Sequence, residues 1–157
     1  MTFIFIFISH WYISLFFQTF FLHRYASHNM FIMKPWVEKI FFLLTFVFQG
    51  SSFLHPAAYA IMHRRHHEFA DTIKDPHSPR VTFNILDFNR RTFIEYRELV
   101  CQFQKNRLPY QNVPRWPIIE NLGESMSIRL IFIIIYISIY IFYSPSLLYF
   151  LLIPIHI

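Results

Sequence analysis

The distribution of charge along the chain limits its fold more than any other feature. All 14 lysine and arginine residues and all 9 acidic residues lie between Arg24 and Arg129, so both ends of the chain are uncharged. The chain is 55% hydrophobic and only 15% charged, whereas an average soluble domain has about 25% charged residues. This composition excludes a disordered chain and a water-soluble coiled coil, and it favours an all-α membrane protein.

The first apolar segment, residues 1–22, is long enough to cross a bilayer. A helix of about 20 residues rises about 30 Å, the thickness of the hydrocarbon core. A secretory signal peptide would need a basic start and a small-residue cleavage site, and this segment has neither. We therefore predict a retained transmembrane helix over 1–22, with His10 as an interfacial polar anchor.

The last apolar segment, residues 128–157, is interrupted near its middle. We predict a transmembrane helix that ends at Tyr143, because Pro145 lacks a backbone N–H and disfavours helical geometry at Ser144. A bend should follow, and then the start of a return helix. Residues 147–157 are too few to cross a bilayer alone.

The basic middle, residues 23–127, should remain at the cytoplasmic face, because positively charged loops are retained there. Within it, the apolar stretch 36–48 is too short to span, so we expect a partly embedded helix that dips and returns. Residues 78–121 are rich in proline, asparagine and arginine, and we interpret them as a loop. That loop would be solvated against anionic headgroups or would dock an acidic electron donor. No motif points to nucleic acid.

Five of the nine histidines fall in two motifs, H-x4-H at His23 and His28 and H-x-x-H-H at His63, His66 and His67. On one helix, the last three would share a face. His23 and His28 would lie about 140° apart on an ideal α-helix, so they would share one ion only after distortion, although they could serve two neighbouring ions. Converging neutral imidazoles bind transition metals. We therefore predict a metal site that requires both motifs to face the same side of the membrane.

Other metal chemistries fit these motifs less well. A zinc protease would have glutamate in H-E-x-x-H, but Arg64, Arg65 and His66 lie between His63 and His67. Haem ligation uses one or two histidines and leaves the others unexplained. A two-ion, all-histidine site that activates oxygen fits best.

At these residues the chain resembles the membrane-bound fatty acyl desaturases of the acyl-CoA (stearoyl) type. The similarity is carried by HRYASH, which starts at His23, and by HRRHHEFADTIKDPHSP, which starts at His63. The resemblance implies a helical membrane fold with a cytosolic cap that holds two iron ions. It also implies O2-dependent insertion of a double bond into an acyl chain, with electrons from a small redox carrier, in the biosynthesis of unsaturated fatty acids.

The resemblance also assigns roles to residues. It implies that the iron ligands are His23, His28, His63, His66 and His67. Asp71, Asp75 and His77 match the family segment D-T-x-x-D-P-H, and we interpret them as residues that support the ligands or lie near the substrate.

The family has a third histidine box, which this chain lacks. Five imidazoles cannot fill the coordination of two irons with about four or more donors each. We therefore expect an incomplete desaturase-like fold that is inactive alone. A non-catalytic remnant is an open alternative. A metal transporter is a weaker one, because the apolar segments contain no carboxylate to form a path.

Overall fold

The structure is a computed structural model that describes residues 2–75, 77–105 and 112–156, with side chains as far as Pro154. All regular structure in these residues is helical, which confirms the predicted all-α class. The helices are α1 (Thr2–Phe17), a π-helical segment (Gln18–Ser27), α2 (Pro35–Gln49), α3 (Pro56–Phe69), α4 (Ile85–Gln104), α5 (Pro117–Glu124), α6 (Met126–Tyr143) and α7 (Ile153–His156). Short 3-10 turns cover Gly50–Ser52, Pro79–Val81 and Leu147–Leu152.

The first helix is longer than predicted. The predicted end was Leu22, but α1 continues without a break into the π-helical segment, which ends at Ser27. The side chains of Phe21 and Leu22 are fully buried against α2, α5 and the turn before α3. Ala26 and Ser27 are buried as well, and the helix therefore continues into the first histidine motif and ends one residue before His28.

The predicted short helix over 36–48 is present as α2, and Gly50 ends it. Gly50 has a φ of 52°, a left-handed conformation that favours glycine. A Cβ atom there would lie 2.0 Å from Tyr136 Oη of α6, so the position also allows close packing. After this break α3 begins at Pro56, and the axes of α2 and α3 differ by 81°.

The prediction of a loop over 78–121 is wrong for most of its length. Residues Ile85–Gln104 form the 20-residue helix α4, and Asn84 caps its start by accepting a hydrogen bond from Asp87 N at 2.9 Å. One face of α4 packs on Ala57, Ala58 and Ile61 of α3. That face carries residues at helical spacing, namely Tyr96, Leu99, Val100 and Phe103. Residues 106–111, which include the basic sequence Arg107–Tyr110, lie outside the described residues.

The structure of the last apolar segment, residues 128–157, largely agrees with the prediction. Helix α6 ends at Tyr143, and Ser144 is extended before Pro145. The following residues turn back, so that the ring of Tyr149 lies 5.1 Å from Phe3 of α1. Phe3 also contacts Tyr140 of α6, with ring centroids 4.8 Å apart. The return segment therefore packs beside the two long apolar helices.

Within the described residues, two helices are long and apolar enough to cross a membrane, Thr2–Ser27 and Met126–Tyr143. The bent pair Pro35–Ser52 and Pro56–Phe69 would add a third if it crosses as one broken span. Helices α3 and α4 and the π-helical segment meet at one end of these apolar helices, and both histidine motifs lie there.

Candidate metal centre

The π-helical segment brings together the two histidines of the first motif. In a π-helix each N–H donates to the carbonyl five residues earlier, so residues five apart lie on the same side of the helix. His28 N donates to His23 O at 3.1 Å, and Ser27 Oγ donates to Leu22 O at 2.8 Å. The Nε2 atoms of His23 and His28 are therefore 3.2 Å apart. The backbone thus departs from an ideal α-helix in the way that His23 and His28 require to bind one ion.

Helix α3 supplies the second motif to the same place. His63 Nε2 lies 3.1 Å from His28 Nε2 and 3.0 Å from His67 Nε2. The ligand atoms of His23, His28 and His63 all lie within 4.8 Å of one another. The ring of Tyr59 stacks on His63 at 5.8 Å and 6° and holds its orientation. The imidazoles of His23, His28 and His63 thus form one close group, and His67 extends it through its contact with His63.

The spacing of these nitrogens fits a transition metal. Imidazole nitrogens lie about 2.1 Å from a bound ion, so pairs separated by 3.0–3.2 Å subtend an angle of about 95°. That angle is close to the right angle of octahedral coordination and smaller than the tetrahedral angle. The donors are all nitrogen, a set that suits iron, zinc or copper.

His66 belongs to the same motif but is oriented by a carboxylate. Its Nδ1 lies 2.9 Å from both Oδ1 and Oδ2 of Asp75, whose side chain is fully buried. Its ring centroid is 5.6 Å from that of His67. A carboxylate on the second ring nitrogen commonly fixes a metal-binding histidine and leaves Nε2 for the metal. Asp75 therefore has the contacts of a supporting residue.

The turn after α3 holds Asp75 and the residues around it. The backbone N–H groups of Asp71 and His77 each donate to Asp75 at 2.9 Å. Ser78 Oγ donates to Asp71 Oδ1 at 2.9 Å, so Asp71 closes the turn and lies outside the imidazole cluster. His77 Nδ1 lies 3.0 Å from Thr92 Oγ1 of α4. Pro76 lies outside the described residues.

The protonation states of His28 and Asp75 favour the binding of a cation at the histidine cluster. Burial lowers the pKa of His28 because it removes water from the charged form, and the neighbouring imidazoles of His23 and His67 lower it further because they would repel a second positive charge. Burial alone would raise the pKa of Asp75, but the hydrogen bonds from His66 and from the backbone N–H groups of His77 and Asp71 lower it. The imidazole of His28 is therefore neutral and the carboxylate of Asp75 is ionised near neutral pH.

A cavity of about 400 Å³ lies beside the cluster. Its polar wall carries His63, His66 and His77, while much of the remaining wall is apolar, including Leu54, Met62 and Phe93. A second cavity of about 750 Å³ is also lined by Leu54 and Phe93. The volume of the first is within the range of about 300–1,000 Å³ that is common for small-molecule sites.

Two groups of supporting residues were not predicted from the sequence. Arg64 donates hydrogen bonds from α3 to the end of the π-helical segment, and Tyr25 donates one to Glu38 of α2. Buried His55 caps α3 by accepting from Ala58 N at 3.3 Å, and its Nε2 lies 3.4 Å from Glu120 Oε2. The signal for His55 was its position before Pro56, since proline is common at the first residue of a helix.

Comparison with known proteins gives partial matches. The chain is 40% identical over 62 residues to Delta-9 desaturase-like 3 protein of Arabidopsis thaliana, across 39% of this chain and 19% of the relative. It is 39% identical over 62 residues to sn-1 stearoyl-lipid 9-desaturase of Synechocystis sp., across 39% of this chain and 18% of the relative. No family model and no solved structure matches the chain.

A third relative is palmitoyl-monogalactosyldiacylglycerol delta-7 desaturase, chloroplastic, of Arabidopsis thaliana, at 37% identity over 59 residues, across 36% of this chain and 15% of the relative. The matched segment thus spans about a fifth or less of these curated relatives. All three are named as desaturases. The chain is desaturase-like over this segment, and the resemblance predicted from its histidine motifs is confirmed there.

Proposed function

We propose that this chain forms part of a membrane fatty acyl desaturase and supplies histidine ligands to a di-iron centre. The observation that carries the proposal is a series of close Nε2 contacts, from His23 to His28, from His28 to His63 and from His63 to His67, at 3.0–3.2 Å each. The residues that would hold iron are these four and His66. Bound iron would supply the O2-dependent oxidation that removes two hydrogens from an unactivated alkyl chain.

The protein's own contribution is to hold ligands and substrate. His23, His28 and His63 form the tightest group and suit one ion. His67, next to His63, and His66, oriented by Asp75, remain for a second ion. Five imidazoles leave two irons short of donors at about four or more each, so we propose that further ligands come from outside this chain and that it is inactive alone.

The cavity beside the cluster is the proposed acyl site. Its apolar side chains, including Leu54 and Met62, would contact an alkyl chain and hold it next to His63 and His66. Substrates named for the relatives are acyl lipids, which agrees with such a cavity. The acyl carrier and the small electron donor would approach from the side of the charged middle segment, for which the positive-inside rule favours the cytoplasm, because all lysine and arginine residues lie between Arg24 and Arg129.

Iron binding and turnover test this proposal separately. The chain is purified in detergent, loaded anaerobically with Fe²⁺, desalted and assayed for bound iron and for unsaturated acyl product. We expect retained iron that is lost when His28 and His63 are both replaced by alanine in one chain, and no product from the chain alone. Absence of bound iron in the unsubstituted chain would overturn the metal assignment. Turnover would overturn the proposal that further ligands are needed.

A further inference from the structure

Arg64 belongs to the second histidine motif, but its side chain holds the first. Its Nε donates to Ser27 O at 2.7 Å, and its Nη2 donates to Ala26 O at 2.7 Å. Nη2 also donates to Asn112 O at 2.9 Å, in the segment before α5. One guanidinium therefore connects α3, the end of the π-helical segment and a third part of the chain.

The two carbonyls that Arg64 contacts lie at a helix end. The last carbonyls of a helix have no partner within it, and an unpaired buried carbonyl destabilises the fold. Ala26 and Ser27 are both buried, at 0% and 3% exposure, so water does not readily replace a side-chain donor there. The planar fork of arginine satisfies two neighbouring oxygens in a fixed orientation, which lysine does not.

His28 follows Ser27 directly, and it is the histidine whose Nε2 contacts both His23 and His63. We propose that Arg64 is a positioning residue for the metal centre: it fixes the end of the π-helical segment on α3 so that His28 meets His63. This inference rests on the proposed function, because it assumes that these imidazoles bind a metal.

The direction of the change in metal affinity distinguishes a positioning role of Arg64 from an effect of its charge. A guanidinium near a cation site repels the cation, so the loss of its charge alone would strengthen metal binding. If Arg64 positions His28, its removal should weaken binding instead. Replacement of residues that orient metal ligands typically costs 10–100-fold in metal affinity.

Co²⁺ binding to the full chain in detergent provides the test, with the visible ligand-field spectrum as the readout. We expect R64Q to bind Co²⁺ about tenfold or more weakly than the unsubstituted chain, with an altered spectrum. Arg65 is the matched control, because it is the next residue of α3 and pairs with Glu95 of α4 instead. We expect R65Q to bind Co²⁺ within twofold of the unsubstituted chain.

Two further measurements distinguish a loss of positioning from a general loss of structure. One places R64Q in a chain that carries H28A, and the other uses the variant R64K. If Arg64 acts through His28, the effect of R64Q should fall to twofold or less in a chain that already carries H28A. If R64Q does not fold, R64K decides the question, because it keeps the charge and one donor but not the fork. We expect R64K to bind threefold or more weakly than the unsubstituted chain.

The outcomes separate this inference from the proposed function. Equal affinity and equal spectra for R64Q and the unsubstituted chain would overturn the positioning role and leave the metal site intact. An unchanged effect of R64Q in the H28A background would also overturn it. If the unsubstituted chain bound no Co²⁺, the proposed function would fail and this inference with it.

Discussion

His28 Nε2 lies 3.1 Å from His63 Nε2, although 35 residues separate these histidines in the chain. His28 lies just after the π-helical segment and His63 lies on α3, so the contact depends on how the two helices pack. The two motifs must therefore lie on the same side of any membrane that α1 crosses. This was the condition on which the sequence interpretation depended, and the fold meets it.

His63 is more central in the cluster than His67, because its Nε2 lies within 3.1 Å of both His28 and His67. We predict that His63→Ala lowers Fe²⁺ or Co²⁺ affinity by at least 100-fold, more than His67→Ala does. Equilibrium dialysis with metal analysis measures this. His10→Ala is the control, since His10 lies in α1 against Tyr136 and away from the cluster. Equal losses for His10→Ala and His63→Ala would contradict the assignment.

The acid sensitivity of the fold should depend on Glu120. Burial alone would raise its pKa, but contacts with His55 and Arg115 and the backbone N–H of Trp116 lower it to about 2. A lowered pKa in the folded state stabilises the fold above the unfolded pKa of 4.5 and loses that effect as pH falls toward 2. The lowered pKa of Glu120 contributes about 3 kcal/mol to the free energy of unfolding at neutral pH.

We therefore expect the melting temperature of the chain in detergent to fall as the pH is lowered from 5 to 3. Glu120→Gln should start lower at pH 7, because it leaves Arg115 without its carboxylate, and it should then change less with pH. Glu98→Gln, on the same protein but at an exposed position of α4, should follow the unsubstituted curve. A Glu120→Gln curve parallel to the unsubstituted one would refute this explanation.

Gly50 should tolerate no side chain. Its φ of 52° is strained for other residues, and a Cβ would lie 2.0 Å from Tyr136 Oη. We predict that Gly50→Ala lowers the free energy of unfolding by about 2–4 kcal/mol, from backbone strain and overpacking together. Addition of Tyr136→Phe, which removes the clashing oxygen, should recover part of this loss. Denaturant unfolding in detergent measures both, and the absence of any recovery would show that the hydroxyl is not the obstacle.

The cavity beside the histidines should hold the acyl chain. Met62 lines it, and a larger side chain at this position would fill part of its volume of about 400 Å³. We predict that Met62→Trp weakens binding of a radiolabelled acyl lipid about tenfold and leaves Co²⁺ affinity within twofold. Leu86→Trp serves as the control, because Leu86 is 76% exposed on α4. Unchanged lipid binding in Met62→Trp would exclude this cavity as the acyl site.

The sequence predicted the helical class, the apolar helices and the bend after Tyr143, because these depend on long apolar runs and on proline. It did not predict α4. There the apolar face at Tyr96, Leu99, Val100 and Phe103 is spread among polar residues that are also common in loops. The segment becomes a stable helix by packing on α3, and such tertiary stabilisation is not visible in local composition.

The meeting of His23 and His28 could be predicted only in part. Their spacing suits a π-helical backbone, but an ideal α-helix separates them, and the choice between the two depends on contacts from elsewhere. Those contacts include the hydrogen bonds from Arg64 to Ala26 and Ser27. Long-range contacts of this kind are set by the fold as a whole.

The most direct test of the account is X-ray absorption spectroscopy of the full chain loaded with Fe²⁺ in detergent. Imidazole rings produce characteristic multiple scattering, so the spectrum counts the histidines bound to each iron. If the five histidines bind two irons, each iron has two to three imidazole nitrogens at about 2.1 Å, and this count is lower in His28→Ala and His63→Ala. A first shell of oxygen without imidazole, or a spectrum unchanged by these substitutions, would contradict it.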